Sequence, residues 1–133
     1  KAQEMGRKQG EVWEADRDYY VEAARNYEKA GDTVKAQKVW EELADLLEVN
    51  DYHYSAAARA YEKAGDIAKA KDTWIKAAKE FETDKNYTEA AEAYEKAGDT
   101  AKTQEMWVKL VEAYEKDGYI AMAKKIRRKL VEA

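Results

Sequence analysis

Apolar and small residues recur at helical spacing in three segments of this chain, and each segment ends shortly before a glycine. Each contains a tyrosine, two adjacent alanines and a second tyrosine at positions i, i+3, i+4 and i+7, which lie on one face of an α-helix. The three segments are Tyr20–Tyr27, Tyr54–Tyr61 and Tyr87–Tyr94. The pattern therefore predicts three amphipathic helices, each with one buried face.

A second helical stripe follows each glycine and contains a tryptophan. The glycine is expected to end the first helix in the left-handed conformation, and the aspartate after it to cap the second helix. The glycine–aspartate pairs are Gly31-Asp32, Gly65-Asp66 and Gly98-Asp99, and the tryptophans are Trp40, Trp74 and Trp107. We predict helices over residues 3–15, 19–30, 33–48, 52–64, 67–82, 87–97, 100–116 and 119–132.

The hairpins repeat in sequence as well as in pattern. The hexapeptide Tyr-Glu-Lys-Ala-Gly-Asp begins at Tyr27, Tyr61 and Tyr94, in steps of 34 and 33 residues. Short connections make consecutive helices antiparallel, and a hairpin with two apolar stripes must stack on its neighbours to bury them. We therefore predict an all-α fold, a right-handed α-solenoid of about eight helices stacked as antiparallel hairpins. One domain is expected over residues 1–133, with an N-terminal helix (3–15), repeats at about 18–51, 52–84 and 85–117, and a C-terminal helix (119–132).

The repeat unit resembles the tetratricopeptide repeat. The 34-residue unit of that family has small residues and a tyrosine in its first helix, a Gly-Asp turn, and an alanine and a large aromatic residue in its second. In the first repeat of this chain the corresponding residues are Ala24, Tyr27, Gly31, Asp32, Ala36 and Trp40. The resemblance implies an α-solenoid that binds proteins.

The chain also departs from the usual tetratricopeptide pattern. Alanine replaces the family's glycine in the first helix, and glutamate replaces the proline that closes the second, so the second helices are expected to be longer than usual. The glutamates are Glu48, Glu82 and Glu115. The later spacing of Tyr114, Gly118 and Ala123 is similar to the attachment-protein branch of the superfamily, which is used in vesicle fusion.

Composition narrows the class of protein further. Of the 133 residues, 45% are hydrophobic and 39% are charged, which is too apolar for a disordered chain. The net charge of −4 disfavours nucleic acid as a partner, because phosphates require a basic surface. The absence of cysteine excludes disulfides and thiolate metal sites. Since no apolar run is long enough to span a membrane, we predict a cytoplasmic, monomeric protein.

The sequence contains no recognisable catalytic motif. The single histidine, His53, and the single serine, Ser55, are two residues apart, so on a helix they do not face each other. Carboxylates are interspersed with lysine and arginine without metal-ligand spacing, and no glycine-rich phosphate loop is present. We predict no enzymatic activity, no metal and no cofactor.

The predicted function is binding of a peptide or protein partner through the concave face that the first helices of a solenoid form. Arg25 and Arg59 are expected to be neighbours that hold a carboxylate or phosphate. Alternatively, glutamates one turn away neutralise them in ion pairs. The predicted partner-binding residues are Val21, Arg25, Glu28, Tyr52, Ser55, Arg59, Glu62, Lys85, Thr88, Glu92 and Glu95.

Other functions stay open at this point. An RNA-binding helical repeat is one alternative, because pentatricopeptide repeats are structurally similar with a comparable period. A designed or model solenoid without a natural ligand is another. The basic run Lys124–Lys129 is either a solvated helix face or a contact for phosphoinositide, RNA or the nuclear-import machinery.

Overall fold

The computed structural model describes residues 9–51 and 53–132, and the side chains of residues 16–49 and 53–132. In these ranges the chain forms helices and contains no strand, which confirms the predicted all-α class. None of the described helices is both long and apolar enough to cross a membrane. The helices are α1 (Gln9–Lys29), α2 (Thr33–Asp51), α3 (Tyr54–Lys63), α4 (Ile67–Thr83), α5 (Tyr87–Lys96), α6 (Thr100–Lys116) and α7 (Ile120–Glu132).

Two of the predicted helix boundaries are wrong. The helices expected over 3–15 and 19–30 are not separate, because α1 continues without a break through residues 16–18. Those residues are Asp-Arg-Asp, with no glycine or proline to end a helix; residues 3–8 lie outside the described residues. The helix expected over 33–48 continues to Asp51. The remaining helices begin and end close to the predicted residues.

The glycine–aspartate turns have the predicted geometry. Gly31, Gly65 and Gly98 have φ angles of 78°, 82° and 81°, in the left-handed region that favours glycine. In each turn the aspartate carboxylate accepts a hydrogen bond from the backbone N–H three residues later, at N···O distances of 3.2, 3.1 and 3.0 Å. The sequence therefore fixes these turns locally, through one permissive residue and one cap.

The turn between α4 and α5 has the same conformation without a glycine. Lys85 has a φ of 61°, and the N–H of Asn86 donates to the carbonyl of Phe81 at 2.8 Å. A side chain at such a φ is strained, because its Cβ approaches the backbone. The hydrogen bonds that end α4 keep Lys85 in this conformation.

The chain divides into two compact units between Ala70 and Lys71. In the first unit α1 packs on α2 and α2 packs on α3. In the second unit α5 packs on α6 and α6 packs on α7. The core of the first unit combines small and large side chains: Ala24, Trp40, Leu43, Ala44, Leu47, Ala57, Ala60, Tyr61 and Ala70. A cluster in the second unit contains Leu110, Val111, Ala123 and Ile126.

Candidate functional site

A pocket of about 200 Å³ lies in the first unit, where side chains of α1, α2 and α3 meet. Four cationic side chains line it, and all four are exposed: Arg17, Arg25, Arg59 and Lys63. Six apolar side chains complete the lining, namely Val21, Trp40, Leu43, Leu47, Ala56 and Ala60. No carboxylate is among these lining residues. We call this site the basic pocket.

Helical periodicity explains how each helix contributes to the basic pocket. Arg17, Val21 and Arg25 follow one another at intervals of four residues, so α1 presents them on one face. Arg59 and Lys63 have the same interval on α3. The contribution of α2 is its buried stripe, which supplies the apolar base. The pocket therefore combines the exposed face of two helices with the buried face of the helix between them.

Trp40 connects the apolar and charged parts of the basic pocket. Its indole Nε1–H donates to the carboxylate Oε2 of Glu28 at 3.1 Å, and the Nζ of Lys63 lies 5.1 Å from the centroid of its ring. The ring face attracts the ammonium group, which holds Lys63 at the pocket. The Oε2 atom of Glu28 therefore accepts a hydrogen bond from a neutral donor.

This arrangement bears on the alternative in which glutamates neutralise the two arginines. Arg25 forms no ion pair within 4 Å with any residue that the structure describes, so the pair expected with Glu28 is absent. Arg59 and Glu62 each have a further interaction partner. Neutralisation by Glu28 is therefore wrong for Arg25.

The structure brings together three of the predicted partner-binding residues, Val21, Arg25 and Arg59, in the basic pocket. Glu28 touches the pocket only through Trp40. On α3, Ser55 is half-buried and Glu62 exposed, and neither lines the pocket. Tyr52 lies outside the described residues. The remaining predicted residues belong to the second unit, where Thr88 is half-buried and the others are exposed: Lys85, Thr88, Glu92 and Glu95.

Sequence reasoning missed Arg17, Lys63 and the whole contribution of α2. The four-residue interval from Val21 back to Arg17, and from Arg59 on to Lys63, is a signal that was present in the sequence. No sequence signal indicates that Leu43 lines the basic pocket. Only the packing of α2 between α1 and α3 shows which part of the apolar stripe of α2 faces the pocket.

A second group of contacts joins repeated tyrosines to carboxylates. The hydroxyl of Tyr61 donates to Oδ1 of Asp45 at 2.5 Å and to Oε1 of Glu48 at 3.1 Å. Burial, followed by these hydrogen bonds and the nearby negative charges, raises the pKa of Tyr61 far above its usual value. In the second unit Tyr94 donates to Oε1 of Glu82 at 2.9 Å, and the same causes raise its pKa to about 12.

Three glutamates near the ends of α2, α4 and α6 take part in such contacts: Glu48, Glu82 and Glu115. Glu48 and Glu82 accept the tyrosine hydrogen bonds, and Glu115 pairs with Arg127 of α7. Partial burial alone would raise the pKa of Glu82, but hydrogen bonds from Lys109 and Tyr94 outweigh it and lower this pKa. Each glutamate therefore links the end of its helix to the following helix through a side-chain contact. The buried tyrosines Tyr61 and Tyr94 thus have a structural role.

Comparison with known proteins adds no assignment. No protein-family model, curated protein or solved structure matches the chain. Within residues 16–49 and 53–132, no group of three or more histidine, aspartate or glutamate side chains is arranged to hold a metal ion. The geometry of the basic pocket is thus the main evidence for function.

Proposed function

We propose that this chain is a tetratricopeptide-like α-solenoid that binds a peptide or protein partner, and that the basic pocket holds an acidic segment of that partner. The three repeated hexapeptides and their capped glycine turns support the solenoid part of the proposal. Stacked helical hairpins of this kind commonly present an extended binding surface. The lining of the basic pocket supports the choice of an acidic partner.

The observation that carries the proposal is the concentration of four cations around an apolar base in a protein whose net charge is −4. A guanidinium group binds a carboxylate through two parallel hydrogen bonds, and three of the four cations that line the pocket are arginines: Arg17, Arg25 and Arg59. Arg25 is available for this role, since no described carboxylate pairs with it. An aliphatic side chain of the partner would cover the buried stripe of α2 and exclude water from the charged contacts.

Selection from a random peptide library displayed on phage tests this function directly. We expect the enriched peptides to contain aspartate or glutamate on either side of a leucine, isoleucine or phenylalanine. The variant Arg25→Ala plus Arg59→Ala should bind these peptides at least tenfold more weakly, which corresponds to about 1.4 kcal/mol. Its melting temperature should stay close to that of the parent, because both side chains are exposed.

A matched control removes the same charge elsewhere. Lys38 and Lys71 are exposed and do not line the basic pocket, so Lys38→Ala plus Lys71→Ala should bind the selected peptides as the parent does. If both double variants lose affinity equally, the attraction is a general charge effect and the pocket is not the site. Enrichment of basic or uncharged peptides would contradict the proposal outright.

A further inference from the structure

The last helix, α7, carries a dense group of cations on its exposed side. Five of the six residues from 124 to 129 are lysine or arginine and all five are exposed, which we call the α7 basic face: Lys124, Lys125, Arg127, Arg128 and Lys129. The sixth, Ile126, is buried. One of the five cations, Arg127, pairs with Glu115, whereas the other four form no ion pair with the described part of the chain.

Packing against α6 fixes the direction in which this face points. Ala123 and Ile126 are buried in a cluster with Leu110 and Val111, and Leu130 packs against the same cluster. The apolar stripe of α7 is therefore already used within the second unit. The cations cannot turn inward without breaking this packing, so the basic charge stays on the surface.

Exposed apolar side chains flank the α7 basic face at both ends of the helix. Ile120 and Met122 lie near its beginning and Val131 near its end, and Val131 is 87% exposed. Val131 also lines a shallow surface depression of about 360 Å³ together with three cations and one carboxylate: Lys124, Arg127, Arg128 and Glu132. Cations beside exposed aliphatic groups match a surface that has both phosphates and hydrocarbon.

We infer that the α7 basic face docks on an anionic lipid bilayer. Clusters of four to eight lysines and arginines on an amphipathic helix are attracted to acidic headgroups, and the flanking aliphatic side chains can enter the boundary between headgroups and acyl chains. A single-stranded nucleic acid would instead favour aromatic side chains among the cations, on which bases stack. The helix α7 contains no aromatic residue. This surface is independent of the basic pocket and does not rest on the proposed peptide binding.

Sedimentation with lipid vesicles tests this inference on the full chain. Vesicles of phosphatidylcholine with about 30% phosphatidylserine are compared with vesicles of phosphatidylcholine alone. We expect the protein to sediment with the anionic vesicles only, and to be released as added salt screens the attraction. Neutralising two unpaired cations, Lys124→Gln plus Arg128→Gln, should lower the partition coefficient by about tenfold or more.

Two further variants separate the α7 basic face from general charge. The control Lys38→Gln plus Lys71→Gln removes equal charge elsewhere and should bind anionic vesicles like the parent. Val131→Ser keeps every charge and should weaken binding by a few-fold, because it removes one aliphatic contact. Circular dichroism checks that each variant remains helical.

Several results would overturn the inference. Equal binding to neutral and anionic vesicles would show that phosphate charge is not recognised. Equal loss in the control variant would show that the α7 basic face is not the site. Binding of a single-stranded RNA oligonucleotide through Lys124 and Arg128, without vesicle binding, would assign this surface to nucleic acid instead.

Discussion

The tyrosines of identical hexapeptides are expected to contribute unequally to the stability of this protein. Removal of a single hydroxyl group tests that expectation. Tyr27 and Tyr61 occupy the same position in Tyr-Glu-Lys-Ala-Gly-Asp. Tyr61 is 3% exposed and donates to the carboxylates of Asp45 and Glu48. Tyr27 is 37% exposed, and its hydroxyl has no hydrogen bond to any described residue. We therefore predict that Tyr61→Phe destabilises the protein and that Tyr27→Phe does not.

The structure sets the size of the difference. A hydrogen bond to a charged group contributes about 1.5–3 kcal/mol to stability. The lower end applies to Tyr61, because Asp45 is exposed and Glu48 is half-buried, so water can replace part of the lost contact. Tyr61→Phe should thus cost about 1.5 kcal/mol, whereas Tyr27→Phe should stay within about 0.5 kcal/mol of the parent, as is usual for exposed positions.

Urea unfolding followed by circular dichroism at 222 nm measures both variants against the parent. The midpoint should fall for Tyr61→Phe with little change in the slope of the transition, which would indicate a loss of stability without a change in the area exposed on unfolding. Equal midpoints for Tyr27→Phe and Tyr61→Phe would refute the assignment of a stabilising role to the Tyr61 carboxylate contacts.

Four further predictions concern turns, the core and pH. Lys85→Gly should raise the unfolding free energy by about 0.5–1 kcal/mol, because glycine relieves the strain of the left-handed φ; a lower melting temperature would contradict this. Gly65→Val should lower the unfolding free energy by at least about 1–2 kcal/mol, because valine is strained at a left-handed φ. The valine Cβ would also lie 3.1 Å from Nε2 of Gln37; a variant that melts like the parent would rule out this strain. Trp74→Ala should cost about 3–5 kcal/mol at this buried position, and a loss under about 1 kcal/mol would mean that the indole is not part of the core. The stabilisation linked to Tyr94 should be complete below about pH 10, the pKa of an unfolded tyrosine. It should then be lost as the pH rises towards its native pKa of about 12; Tyr94→Phe should flatten this alkaline loss in urea titrations, and an unchanged profile would contradict the linkage.

The sequence predicts features of this fold that depend on local chemistry. Gly31, Gly65 and Gly98 adopt left-handed conformations because residues without a Cβ meet no steric cost there. Each aspartate caps the next helix because its carboxylate reaches the N–H three residues later. These features need only a few adjacent residues, so spacing alone predicts them.

Features that depend on packing between helices were less predictable. The continuity of α1 through residues 16–18 depends on the lack of a breaking residue rather than on apolar periodicity. The hydroxyl of Tyr61 donates to Asp45 and Glu48, which lie 16 and 13 residues earlier. Nothing in the hexapeptide itself distinguishes this tyrosine from Tyr27. The two environments differ because Tyr61 contacts the helix before its own, α2, whereas α1, which contains Tyr27, is the first helix of the described residues.

The candidate site likewise has features that the sequence predicts and features that only the packing reveals. Arg25 and Arg59 both line the basic pocket, as their equivalent positions in the repeat predict. The hydrogen bond from Trp40 to Glu28 could not be predicted from the repeat, because it requires the indole of α2 to approach the end of α1. The sequence alone therefore left open which group Glu28 contacts.

The indole resonances of the tryptophans give the most direct test of peptide binding at the basic pocket. Trp40 lines this pocket and its Nε1–H is held by Glu28, whereas Trp107 packs in the second unit. An isotope-labelled sample is titrated with an acidic peptide selected from the library, and the Trp40 signal is assigned with the variant Trp40→Phe. The account predicts that the Trp40 indole resonance shifts progressively to saturation while that of Trp107 stays in place. A peptide that binds tightly and moves only the Trp107 resonance would contradict it.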